Sequence, residues 1–136
     1  MRIIDLLFLS TLLCMMALSC AHHSQSPTTT PATDPMALLA AKVVRISEEY
    51  ANINTDLSGA EMSKHGIVDQ TVFTAKFKDQ TIRALLGKNY SDVPKGDWVG
   101  LIEEDGNLQL AISFGHAATD IGCAVGDTLY IEPLKP

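Results

Sequence analysis

The chain is 136 residues long, enough for one domain of ordinary size and too short for two with separate cores. With 46% hydrophobic and 19% charged residues, it has the composition of a globular protein rather than of a disordered one. Ten Lys and Arg against sixteen Asp and Glu give a formal charge of −6, the wrong sign for coating phosphates, so nucleic acid is not an expected partner.

In chain order, the first element is Leu6 to Leu18, thirteen residues without a charge, preceded by Met1, Arg2 and Asp5. That is the length of a secretory signal and falls short of the ~20 apolar residues of a spanning helix. The run ends in Ala17-Leu18-Ser19-Cys20, which resembles the lipobox of bacterial lipoproteins, where a small residue precedes the cysteine that becomes the lipid-bearing N-terminus. Residues 1–19 therefore read as a lipoprotein signal peptide and Cys20 as a lipid anchor to the membrane. An ordinary secretory signal cut near Ser19 or Ala21 is the other reading, in which Cys20 is a plain thiol. Both readings export the chain, and the lipidated one puts it in the bacterial cell envelope, at the outer membrane of a Gram-negative cell. Cys14 leaves with the signal, so the mature chain holds Cys20 and Cys123 and no disulfide framework is expected.

From Ala21 to Pro35 the chain is polar, carries Pro27, Pro31 and Pro35, and has no large apolar side chain to contribute to a core. Residues 20–41 are accordingly assigned to the anchor and its tether, with a helical turn or two between Pro35 and Ala41. His22 and His23 sit on this segment, where an adjacent pair makes a poor metal site.

The folded domain is placed at 42–136. Thr71 to Lys78 alternates with period two, with Thr71, Phe73, Ala75 and Phe77 on one face. Leu108, Leu110 and Ile112 alternate in the same way, and Trp98 to Glu103 is an apolar run suited to a strand covered on both faces. Between them, Glu104-Asp105-Gly106-Asn107 supplies a turn in which Asp-Gly takes positive φ, giving a hairpin over 98–113. Lys42 to Ser47, Asn52 to Leu57, Gln80 to Leu86 and Thr128 to Glu132 complete the strands, with a second turn at Lys78-Asp79. The fold class is mainly β, a small barrel or sandwich with one or two short helices, one of them at His116 to Ile121. A faint echo relates Gly66–Phe73 to Gly122–Tyr130.

Several stretches together carry a family resemblance. Val43-Val44-Arg45-Ile46, Tyr50 to Leu57, Tyr90 to Asp97, Val99 to Ile102, Gly106-Asn107-Leu108, Gly115 to Ala118 and Gly122 to Tyr130 resemble, in order and spacing, the C-terminal β-barrel domain of the S-adenosyl-L-methionine hydroxide adenosyltransferases, relatives of the fluorinases and chlorinases. The resemblance implies that Asn52 bonds an adenine base, that Tyr50 replaces a Phe packing on the ligand, and that the backbone of Ser113, Phe114 and Gly115 offers amides to the base. Gly115 with Ala117-Ala118 reads equally as close packing against the barrel. Ser47 stands where the family has an Asp, and Glu104-Asp105 where it has Ser-Arg or Ser-Ser, changes expected to weaken a hold on methionine, since two carboxylates repel its carboxylate. The family's catalytic Asp, Arg and His come from a larger N-terminal domain and have no counterpart before Lys42, so no catalytic residue is assigned and hydrolysis by this chain alone is not expected.

Glu61 with His65 and His116 with Asp120 are i, i+4 pairs that can ligate a metal or simply pair at the surface; without a third ligand no metal and no cofactor is expected. Asn52, Asn54 and Asp56 share one strand face, either solvated or a ligand wall. The expected function is a non-catalytic envelope lipoprotein whose barrel is a binding or interaction module with weak adenine or nucleoside affinity. The alternative is the C-terminal subunit of a split S-adenosyl-L-methionine hydrolase, completed by a partner protein that carries the catalytic domain.

Overall fold

A computed structural model describes residues 38–134. These residues form seven strands and two short helices: β1 (Leu39–Ile46), β2 (Ile53–Ser58), α1 (Gly59–Lys64), β3 (Val72–Phe77), β4 (Gln80–Gly87), β5 (Trp98–Ile102), β6 (Asn107–Ile112), α2 (Ala117–Ile121) and β7 (Thr128–Pro133). The strands close into a barrel in the order β1-β2-β6-β5-β4-β3-β7. Closure leaves no unpaired sheet edge. The expected mainly β class is thereby met, and of barrel and sandwich it is the barrel.

Alternation places the core. Phe73, Ala75 and Phe77 of β3 point inward with Val43, Ile53, Leu108, Leu110, Leu129 and Ile131, all buried. Gly100 lies opposite Phe73, whose ring would stand 2.8 Å from any Cβ added there, so the glycine lets the largest core side chain fill the barrel. On β5 the residues between the core positions are covered as well. Val99 and Leu101 pack with Ala111 and Val93 outside the barrel, so the strand is buried on both faces as its composition requires.

Three differences from the sequence reading have physical causes. Leu39–Ala41 are strand rather than tether or helical turn, because they pair with Leu129–Ile131 of β7 and bury Leu39 and Ala41. The helix α1 was not anticipated: its six residues are too few to show a period, although Ser58 caps it by accepting from the Glu61 N–H at 3.1 Å. In the β5–β6 turn, Glu103–Gly106 form a four-residue loop in which Gly106, at φ 81, takes the positive value and Asp105 instead accepts from the Asn107 N–H at 3.0 Å.

Two irregularities position the site. A bulge between Val43 and Arg45 inserts a residue into β1, so Arg45 comes opposite Asn54 on the outer face while Val43 stays in the core. β4 and β5 are parallel, the one parallel pair in the barrel, and parallel neighbours need a crossover. Residues 88–97 provide it by passing over the outer face of β5 and β6, where they lay down Tyr90 and Val93.

Candidate functional site

The turn before β2, the end of β6 with the turn that follows it, and the crossover together form a concave site of about 300 Å³ lined by Tyr50, Asn52, Tyr90, Ile112 and Phe114. Each side chain is fixed by its own segment. Tyr50 rides the β1–β2 turn, closed by a bond from the Ser47 N–H to the Asn52 carbonyl at 3.0 Å, and its ring lies 6.4 Å from that of His116. Tyr90 opens a 3₁₀ turn tied down by the Asp92 carboxylate, which accepts from the N–H groups of Lys88 at 2.7 Å and Asn89 at 3.2 Å. Phe114 takes φ 57 in the turn after β6 and leaves 79% of its surface exposed, with the Lys95 ammonium 5.7 Å from its ring centroid. A non-glycine φ in that region is a strained choice that turns the ring outward.

At the floor runs a chain of carboxamides. Asn54 Oδ1 accepts from the Arg45 guanidinium at 3.0 Å and from Gln109 Nε2 at 3.1 Å. Gln109 Oε1 accepts from the Tyr90 hydroxyl at 2.7 Å and from Asn52 Nδ2 at 3.3 Å. Asn52 Nδ2 also reaches the Tyr90 oxygen at 3.3 Å. Its own Oδ1 is buried and has no hydrogen-bond partner in the protein. A buried acceptor left unpaired costs about 1–3 kcal/mol. Tyr90 is a neutral donor here, since burial, and then the nearby Glu103, push its phenol above the usual tyrosine value.

Of the expected site residues, the structure brings Tyr50, Asn52 and Phe114 to the pocket. Ser113 and Gly115 give their amides to the backbone instead. The Ser113 N–H donates to the Asp97 carbonyl at 2.9 Å and the Gly115 N–H to that of Ile112 at 3.0 Å, so neither amide is left for a base edge. A Cβ on Gly115 would lie 2.4 Å from Ile112 Cγ2, and Ala117 and Ala118 are buried, which is the close-packing reading of this segment. The shared face of Asn52, Asn54 and Asp56 is not solvated at its first two positions: Asn52 is 5% and Asn54 8% exposed. Ser47 accepts from Asn54 Nδ2 at 3.2 Å, while Glu104 and Asp105 sit at the tip of the β5–β6 hairpin, the other end of β6 from Ile112 and Phe114. Neither of these two carboxylates lines the pocket.

Tyr90, Ile112 and Gln109 were not singled out by sequence. Gln109 shows there only as a polar residue in an alternating strand, and its partner Asn54 is 55 positions away. Elsewhere, Glu61 and His65 face each other on α1 at 3.6 Å, and no group of three His, Cys, Asp or Glu side chains suited to a metal occurs among the described residues. Cys123 is buried, and burial raises its thiol pKa, so it is an inert core residue rather than a nucleophile. Cys20, His22 and His23 lie outside the described residues.

No curated protein matches the chain. Among solved structures it is similar to an uncharacterised conserved protein from Thermotoga maritima, with a TM-score of 0.66 and 19% identity over 70% of this chain. A conserved hypothetical protein from Thermus thermophilus aligns over 74% of it with a TM-score of 0.48 and 18% identity. This chain spans 36% and 38% of those two chains, somewhat over a third of each. The first likeness is one of fold. Residues 41–130 match the model of the SAM hydroxide adenosyltransferase C-terminal domain, and since that stretch is most of the chain and all but the ends of the barrel, the protein belongs to this family.

Proposed function

We propose that the barrel is a binding module, not catalytic by itself, of an exported protein anchored to the cell envelope through a lipid on Cys20, and that its pocket takes the base of an adenine nucleoside weakly. The observation that carries this reading is the buried, unpaired Oδ1 of Asn52 at a site rimmed by the exposed rings of Tyr50 and Phe114. A flat ring between aromatic side chains, with an N–H toward that oxygen, satisfies both features. About 300 Å³ is the low end for small-molecule sites, room for a purine-sized group and consistent with modest affinity. The lining groups are two phenols, a carboxamide, an aliphatic and a phenyl side chain, a set that recognises and holds a ligand but offers no base or nucleophile.

Titration calorimetry of the purified protein with adenosine and with S-adenosyl-L-methionine, beside a chromatographic assay for released adenosine, tests the proposal. Saturable binding of adenosine that Asn52→Ala abolishes, with no adenosine released from S-adenosyl-L-methionine, is the expected result. Release of adenosine that Asn52→Ala abolishes would overturn it.

A further inference from the structure

Asn52 lines the pocket, and the two ends of its carboxamide select opposite ligands. Which end is left without a protein partner is decided outside the pocket. Asn54 is the fixed point: its Nδ2 donates to the carbonyls of Asn52 at 3.3 Å and Arg45 at 3.4 Å, which can only accept, while its Oδ1 meets the Arg45 guanidinium, which can only donate. Gln109 must then turn its nitrogen to Asn54 and its oxygen to Asn52 and Tyr90. Asn52 in turn must give its nitrogen to Gln109, and its oxygen is left over.

We infer that Gln109, held by Asn54, is a positioning residue that fixes the direction of the Asn52 carboxamide and so makes the pocket select a hydrogen-bond donor over an acceptor at that point. The inference rests on the binding reading above and adds the origin of its selectivity. Gln109 is 4% exposed and does not line the pocket, so its influence on a ligand passes through Asn52 and Tyr90. Without its amide, the Tyr90 hydroxyl loses the acceptor at 2.7 Å, and the remaining acceptor within reach is the Asn52 oxygen, provided the carboxamide turns over. That turn presents Nδ2 to the ligand and reverses the preference.

Adenosine and inosine are suitable probes because they differ in a 6-amino donor against a 6-oxo acceptor. Their affinities are measured for the full protein and for Gln109→Leu, with thermal melts to confirm folding; Gln109→Met carries the same test should the leucine variant not fold. The wild type is expected to prefer adenosine by about tenfold, the worth of one paired against one opposed polar group. In the variant the ratio should fall to about one or invert. An unchanged ratio, or equal affinities in the wild type, overturns the inference. A second readout needs no ligand: nuclear Overhauser contacts from the Asn52 side-chain amide protons to the Tyr90 ring should be present in the wild type and lost in Gln109→Leu. Failure of both nucleosides to bind while these contacts behave as expected would refute the binding reading and leave the positioning role of Gln109 standing. Persistence of the contacts in the variant would refute that role.

Discussion

Two single side chains show how local sterics and polarity shape the site. Gly115 is a glycine because a methyl there would lie 2.4 Å from Ile112 Cγ2, and Ile112 is itself a wall of the pocket. Gly115→Ala should destabilise the barrel by about 1–3 kcal/mol, the usual cost of overpacking, and thermal denaturation would show it. Asn52 behaves differently. Replacing it by Ala removes an unpaired acceptor but also the Nδ2 donor to Gln109 and Tyr90, two effects of opposite sign and about 1 kcal/mol each. Asn52→Ala is therefore expected to keep its melting temperature within a few degrees while losing nucleoside binding, and a large drop in stability would mean that the residue is structural first.

Among the elements, α1 is the least supported by its own sequence, since six residues are too few to be helical alone. Its Ser58 cap and buried Met62 hold it in place. Ser58→Ala should cost about 1 kcal/mol, measured by chemical denaturation. The strands were readable because period two survives in them: Phe73, Ala75 and Phe77 on β3, and Leu108 and Leu110 on β6, face the core as their spacing requires. Asn52 was also legible, through a family motif. What could not be read depends on pairing between distant segments. Simple alternation puts Arg45 on the core side with Val43, and only the bulge against β2 turns it toward Asn54. Tyr90 reaches the site because β4 and β5 run parallel and force a crossover, a fact of topology with no local signature in residues 88–97. The amides of Ser113 and Gly115 were expected to serve a ligand, but the first pairs with the Asp97 carbonyl ahead of β5 and the second closes the turn onto Ile112.

At the scale of the whole molecule, closure of seven strands around one core is the reason to expect cooperative folding without the preceding residues. The segment from Met36 to Pro136 should melt in one transition with a β-dominated far-ultraviolet spectrum; a gradual melt would show that the barrel needs something more. The chain enters the barrel at Leu39, at the opposite end of β1 from the turn that carries Tyr50. Mass spectrometry of the mature protein is expected to find an acylated Cys20 at its N-terminus, and a different N-terminus or no lipid mass would remove the envelope anchor from the proposal. The binding reading itself is tested most directly by an amide nuclear magnetic resonance titration with adenosine. The expected shifts concentrate at Tyr50, Asn52, Tyr90, Ile112 and Phe114 and saturate together. No shifts at millimolar adenosine, or shifts centred instead on α1 and the β5–β6 hairpin tip, would contradict it.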